Sequence, residues 1–335
     1  VGAVTGEDIE WIWVEDESAP GRVRVAAMSL ARRLDFSEKQ TGEIGLAATE
    51  LGTNLYLHAK HGAMLIRCRR ESAETALELV SIDEGPGIGD YAGASRDGES
   101  TRGTLGIGIG AIRRAASSFD AYSKPGRGTI VVATFWSGDR KRSVRTVGAL
   151  TRPMQNESAC GDAWAIRSNR DGDAVVMLAD GLGHGELAAM ASREAVRTFL
   201  GSSEQSPVAI IETLNGALRG TRGAAVAVVA VSAQERAVTL AGVGNVALWI
   251  DDAQTRRALH SSPGIVGQYP KRVREVSAPV PEGAIVVLHS DGLSSKWDLH
   301  QYGGLLQHDP QVIAATLLRD AGVHRDDASV VVYRP

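Results

Sequence analysis

Three stretches of the sequence share one arrangement. In "LADGLGHG" (178–185), "VVLHSDGL" (286–293) and "LVSIDEGPGIG" (79–89) an apolar run ends on an aspartate and passes at once into glycine or a glycine-rich turn. A carboxylate at the end of a strand projects from the sheet edge, and the glycine beside it lets the backbone turn sharply or a ligand approach closely. Two chemistries use that arrangement: a loop that cradles phosphate, or an acid that holds a divalent cation. Further acids in the second half recur beside glycine or a second acid, namely Asp162 in "CGDAW" and Asp326 with Asp327 in "HRDDASVVV". A lone Asp-Gly is ordinarily a turn. Several acids at strand ends in one half favour a cation site, because Mg2+ and Mn2+ prefer oxygen ligands and keep several waters, so few carboxylates suffice.

The first half carries a different set. Glu50 and Asn54 in "ATELGTNLYLHA" are four residues apart and share one face of a helix. Asp83 opens "DEGPGIGD", whose Gly85 and Gly87 would let a flat ligand reach the backbone. In "GTLGIGIGAIRRAA", glycines 103, 106, 108 and 110 run into a helix, where free N–H groups and the helix dipole favour an anion. Gly106-x-Gly108-x-x-Ala111 imitates a dinucleotide fingerprint, but the preceding "ASRDGESTRGT" is polar and loop-like where that fingerprint needs a strand. No Walker A lysine motif is present.

The elements that must position these residues are mixed. "IEWIWV" reads as a strand and residues 20–34 as a helix. Ser37 and Gln40 form a capping box that starts a helix reaching about residue 59. Runs 63–69 and 75–82 read as strands, "IGAIRRAASSF" as a helix, and "GTIVVATFW" as a strand after "KPGRG". The second half gives strand "DAVVMLAD" and helices near 186–200 and 206–219. Strands "AAVAVVAVS", "AVTLAGVG", "NVALWI" and "AIVVLHSD" follow, then a helix near 310–321 and strand "ASVVVY". Between the halves, "SGDRKRSVRTVGALTRP" (137–153) is rich in Arg140, Lys141, Arg142 and Arg145 and ends in proline, which reads as a solvated linker leading into a new first strand.

At 335 residues the chain exceeds the size at which one core usually stops growing, so two domains are expected. A content of 43% hydrophobic and 23% charged residues is that of a globular protein, and a net charge of -4 gives no electrostatic reason to expect nucleic acid. No apolar run approaches a membrane span, and no basic-then-apolar signal layout opens the sequence; no membrane partner and a cytoplasmic location are the expectation. Cys68 and Cys160 are isolated, which indicates neither a zinc site nor a disulfide framework.

The Glu/Asn helix, Asp-x-Gly-x-Gly turn, glycine-rich helix start and "GRGT" before a strand, in that order, resemble the GHKL ATPase superfamily. They are most similar to the anti-sigma-factor serine kinases of the RsbW/RsbT type, over roughly residues 5–136. The resemblance implies ATP as the nucleotide and Asn54 as the Mg2+ holder. Asp83 would read the adenine amino group, and Gly85, Gly87, Gly103, Gly106, Gly108, Gly110 and Thr129 would complete the nucleotide site. Glu50 would orient or deprotonate the attacking hydroxyl. The blocks "GD", "ADGLGHG", "LAGVGN", "SPGIVG", "SDGL" and "DDAS" resemble the SpoIIE-type branch of the PPM serine/threonine phosphatases, over roughly residues 144–334, in its short RsbX-like form. That resemblance implies two cations, Mg2+ or Mn2+. Asp180 would bridge them with the Gly181 carbonyl on one, Asp291 and Asp326 would hold the second, and Asp162 would be a weaker or outer ligand. His184 is not placed firmly by its short loop and stays outside the catalytic set.

The expected fold class is α+β: a GHKL (Bergerat) α/β sandwich over 1–138, a linker over 139–147 and a PPM-type αββα sandwich over 148–335. The implied function is a bifunctional switch, an ATP-dependent serine/threonine kinase joined to a metal-dependent phosphoserine/phosphothreonine phosphatase. STAS-domain proteins of a stressosome-like pathway would be its substrates and a downstream regulator a further partner. In the alternative, the first domain is a nucleotide-binding anti-sigma or regulatory module that controls the phosphatase. A histidine-kinase reading of His58 and His61 lacks the helical hairpin that would present the histidine.

Overall fold

The computed structural model describes residues 2–71, 74–89, 105–138, 145–169, 172–268 and 273–335. It divides into two compact units, Glu7–Val144 and Val1–Gly6 with Arg145–Pro335. Residues 2–5 fall in the second unit, where they pair antiparallel with residues 165–168.

The N-terminal unit is built on the part of strand β1 (Gly2–Val14) from Glu7 onward and on strands β2 (Gly62–Glu71), β3 (Glu74–Ile82), β4 (Ser118–Lys124) and β5 (Gly128–Trp136). Their order is β1-β2-β3-β5-β4, and the pairings β2/β3, β3/β5 and β4/β5 are antiparallel. Helices α1 (Ala19–Arg33), α2 (Glu38–His58) and α3 (Leu105–Ala115) supply one side of its core. Helix α2 starts where the capping box requires: Ser37 Oγ accepts from Gln40 N at 3.2 Å and Gln40 Oε1 accepts from Ser37 N at 3.2 Å. It buries Ile44, Ala47, Ala48, Leu51 and Leu55 at helical spacing against Met64, Ile66, Leu77 and Leu79 of the sheet. Helix α3 ends at Ala115, four residues short of the helix read from "IGAIRRAASSF". Ser117 N donates to Thr134 O and Ser117 Oγ accepts from Trp136 N at 3.0 Å, so pairing with β5 wins over helical continuation and Ser118 opens β4.

The C-terminal unit is two sheets face to face. One runs in the order β13-β10-β9-β8-β7, with β7 Asp162–Ser168, β8 Ala174–Gly181, β9 Ala224–Ser232, β10 Ala237–Val243 and β13 Glu275–Pro279. The other runs β12-β11-β14-β15-β6, with β6 Val147–Arg152, β11 Ala247–Asp251, β12 Arg256–Leu259, β14 Ile285–His289 and β15 Ala328–Tyr333. Period-2 alternation sends Ile166, Val176, Leu178, Val229 and Leu240 of the first sheet against Ala149, Leu248, Val286, Leu288 and Val331 of the second. The opposite residues of the first sheet, Val175, Met177, Val226 and Val228, pack under helices α4 (Glu186–Gly201) and α5 (Pro207–Ala217) through Phe199, Ile211 and Leu214. Helix α6 (Pro310–Ala321) lies on β6 and β15, completing an αββα sandwich.

Strand β6 occupies part of the stretch read as linker. It is an edge strand, and Gln311 of α6 satisfies its outer backbone: Ala149 N donates to Gln311 Oε1 at 2.9 Å and Gln311 Nε2 donates to Ala149 O at 3.2 Å. Cys68 and Cys160 are free. No helix among the described residues is long and apolar enough to cross a membrane.

Candidate functional sites

In the C-terminal unit, antiparallel register sets Asp162 at the start of β7 directly opposite Asp180 near the end of β8. Two like charges at paired positions destabilise a sheet, so the placement asks for a compensating cation. The second sheet brings its acids toward the same place: Asp291 follows β14 and Asp326 precedes β15, and both carboxylates repel that of Asp180. Burial, then repulsion from Asp162, Asp291 and Asp326, pushes the Asp180 carboxyl up to about 9. Burial is also the main reason that Asp162 is pushed up to about 7, against the hydrogen bond from Ser290 that favours its ionised form. Asp326 is raised by burial and by Asp291.

Buried polar groups orient these carboxylates. Ser290 Oγ donates to Asp162 Oδ2 at 2.7 Å and accepts from Ser329 N at 3.0 Å, tying the two sheets together under the acids. The other oxygen of Asp162, Oδ1, is buried and unpartnered. Asn245 Nδ2 donates to Asp291 Oδ2 at 2.5 Å and fixes that side chain. The adjacent Asp327 is spent on structure. Its oxygens accept from Met154 N at 2.7 Å and Gly161 N at 2.8 Å, which fastens the loop between β6 and β7. Gly181 is packed so closely that a Cβ there would lie 2.2 Å from Ala188 O. His184 Nδ1 lies 2.8 Å from Glu157 Oε1, an orientation that its loop alone does not reveal.

A hard divalent cation fits this donor set: oxygens only, one buried and unsatisfied, and acids that resist ionisation for want of positive charge. Among the described residues no three His, Cys, Asp or Glu side chains enclose a cation by themselves, so water would complete its shell.

In the N-terminal unit, α2 presents Glu50 and, one turn on, Asn54, both half-buried. Asn54 makes no side-chain hydrogen bond to a described residue. Gly108 of α3 lies against Glu50, and a Cβ at 108 would sit 2.3 Å from Glu50 Oε2. Asp83, just past β3, is held on both oxygens: Oδ1 accepts from Gly85 N at 2.7 Å and Oδ2 from Thr129 N at 3.2 Å. The turn after it is fastened to the β4–β5 hairpin. Ser123 Oγ accepts from Ile88 N at 2.7 Å and lies 2.9 Å from Thr129 Oγ1, while Gly126 N donates to Pro86 O at 2.7 Å. Gly87 has φ +68°, and a Cβ there would be 2.1 Å from Lys124 O. Gly85 leaves room for the His58 carbonyl, 2.7 Å from where its Cβ would be.

Gly103 lies outside the described residues. Gly106, Gly108 and Gly110, read from sequence as a loop running into a helix, are inside α3. Gly110 lies beyond the first turn of that helix, whose N–H groups have no partner within the helix. Sequence reading did not single out Ser123, Asn245, Ser290 or Glu157, though "LAGVGN" and "HSDGL" contain two of them, and it took in Gly128 only within "GRGT".

The folds and sites define a GHKL-type kinase unit followed by a PPM/PP2C phosphatase unit. Residues 12–135 match the histidine kinase-like ATPase domain family, and residues 170–335 match the stage II sporulation protein E (SpoIIE) family. The chain is 33% identical to the serine/threonine-protein kinase RsbT of Bacillus subtilis (strain 168) over 34% of its own length and 85% of RsbT. It is 28% identical to the phosphoserine phosphatase RsbX of the same organism over 42% of its own length and 70% of RsbX. A solved chain from work on the bacterial stressosome as a modular system adapted to control secondary messenger signalling aligns with TM-score 0.52 and 29% identity. That alignment covers 56% of this chain and 98% of the other. The chain therefore belongs to the RsbT-like kinase family through its N-terminal domain and carries an RsbX-like SpoIIE phosphatase domain after it.

Proposed function

We propose that the chain is a bifunctional switch: its N-terminal unit phosphorylates serine or threonine on STAS-domain proteins of a stressosome-like pathway with ATP, and its C-terminal unit removes phosphate with Mg2+ or Mn2+. The observation that carries this reading is the meeting of acids from two sheets: Asp162 lies opposite Asp180 in the β7/β8 register, and Ser290, next to Asp291, is hydrogen-bonded to Asp162. Joining both activities in one chain sets their ratio and keeps each at high effective concentration near a shared partner.

In the kinase unit Glu50 would accept the proton of the attacking hydroxyl and Asn54 would carry Mg2+. Asp83, its two oxygens held by Gly85 N and Thr129 N, would read the adenine amino group. The first turn of α3 aims its N–H groups at the phosphates. In the phosphatase unit Asp180 would be shared between two cations, with Gly181 O on one, Asp291 and Asp326 on the other, and Asp162 outside them. Such cations supply charge neutralisation for the phosphoryl group and a more acidic water. The chain's part is orientation: Ser290 holds Asp162 and Asn245 holds Asp291.

Radiolabelled ATP with a STAS-domain protein tests both halves. Glu50→Ala is expected to bind nucleotide but place no label on the protein, whereas Asp180→Asn places label and does not remove it. Undiminished labelling by Glu50→Ala overturns the kinase assignment, and undiminished removal by Asp180→Asn overturns the phosphatase assignment.

A further inference from the structure

The acids of the phosphatase unit account for cations but leave the substrate's own negative charge without a protein donor. Across the sheet from Asp180, the chain enters β9 through "RGTRGAA" (219–225). Register pairs Asp180 with Ala225 and Gly181 with Ala224, and Leu182 N donates to Gly223 O at 3.0 Å, which carries Arg222 alongside Gly183. Gly183 has φ +89°, and a Cβ there would lie 2.9 Å from Arg222 Nη1. The guanidinium therefore rests on the glycine of the "ADGLGHG" loop, three residues after the central acid.

The backbone that carries Arg222 is fixed. Thr221 Oγ1 donates to Leu218 O at 2.7 Å and accepts from Gly223 N at 3.0 Å, and Gln268 Nε2 donates to Arg222 O at 2.9 Å. Gly223 has φ +78°, and a Cβ there would be 2.6 Å from Ile265 Cγ2 and 2.7 Å from Val266 O. The exposed Arg222 guanidinium forms no ion pair and no hydrogen bond with a described residue. An arginine on a rigid loop beside a cation-binding acid cluster, with its donors unspent, suits a phosphate dianion, whose oxygens match the planar fork of a guanidinium.

We infer that Arg222 binds the phosphoryl group of the phosphoserine or phosphothreonine substrate and holds it over the Asp180 site. This rests on the phosphatase reading above. Arg222 touches substrate only, so it acts on phosphate affinity and not on cation affinity.

The test uses the full chain with Mn2+ and p-nitrophenyl phosphate, comparing the parent, Arg222→Ala and Arg222→Lys. It adds calorimetric titration of inorganic phosphate and a Mn2+ titration of each protein. Losing a charge-assisted hydrogen-bond pair should lower kcat/KM by about 10- to 100-fold and weaken phosphate binding by a similar factor. The Mn2+ titration and the melting temperature should stay at parent values, and Arg222→Lys should recover part of the loss. Arg222→Ala with parent-like kcat/KM and phosphate affinity overturns the inference, as does a loss that tracks weakened Mn2+ binding. A parent that releases no p-nitrophenol overturns the phosphatase reading, and this inference with it.

Discussion

Gly108→Ala separates the fold of the kinase unit from its proposed chemistry. Gly108 sits inside α3, where alanine is intrinsically favoured over glycine by about 1 kcal/mol. The added methyl would lie 2.3 Å from Glu50 Oε2 and 3.1 Å from Glu50 Cδ, against an ordinary contact of 3.4–4 Å. Both atoms belong to the far end of a flexible side chain, so the carboxylate swings away and the helices stay in place. The Glu50 oxygen must retreat by about 1 Å, a displacement of a catalytic group that can cost about 100-fold in rate. Stability and activity should therefore move in opposite directions. Thermal melting is expected unchanged or slightly higher, ATP binding nearly unchanged, and initial transfer of label to a STAS-domain protein lower by about 100-fold, or about 2.7 kcal/mol in barrier. Parent-like transfer by Gly108→Ala refutes the argument that Glu50 works from its position against α3. Collapse of stability refutes the argument that only a side chain must yield.

At the acid cluster, Asp180→Asn should abolish phosphate release at any Mn2+ concentration, whereas Asp291→Asn and Asp326→Asn should be partly rescued by high Mn2+. Identical Mn2+ curves for Asp180→Asn and the parent would count against a bridging role. The raised carboxyls also set a pH dependence. Folded Asp180 and Asp162, pushed up to about 9 and about 7, keep protons that the unfolded chain has already released. In EDTA the urea midpoint of the C-terminal unit should therefore fall as pH rises from 7 to 9. Asp180→Asn should flatten that slope, and an unchanged slope contradicts the assignment. In the kinase unit, Gly128 has φ +87° and a Cβ there would meet the backbone Asp83 O at 2.0 Å. Gly128→Ala should cost at least about 1–3 kcal/mol in urea unfolding and weaken ATP binding by disturbing Asp83, with no loss of either as the contrary result.

What the sequence reveals and what it hides divide along physical lines. The Ser37–Gln40 box and the apolar spacing of α2 are local signals, and the helix follows them. The acids at the ends of β8 and β14 are legible because an apolar run followed by Asp-Gly marks a strand end, and those before β15 because Asp-Asp directly precedes an apolar run. Pairing information is not local. Ser118 and Phe119 resemble a helix end until β5 competes for their backbone, and Val147–Arg152 resembles part of a linker until β15 and Gln311 satisfy it from both sides. The division of labour between Asp326 and Asp327 depends on which one meets Met154 N and Gly161 N, across more than 160 residues of chain. Orienting groups such as Ser290 and Asn245 carry no spacing signal of their own, because their role exists only once two sheets are stacked.

The most direct test of the account is equilibrium binding of Mn2+ to the metal-free chain in the absence of ATP, followed by electron paramagnetic resonance and run alongside phosphate release from a phosphoserine STAS-domain protein. The account predicts that the parent binds Mn2+ at the Asp180 cluster, that EDTA stops phosphate release with no nucleotide present, and that Asp180→Asn loses both while keeping its fold. Mn2+ binding by Asp180→Asn equal to that of the parent, or phosphate release that continues in EDTA, would contradict it.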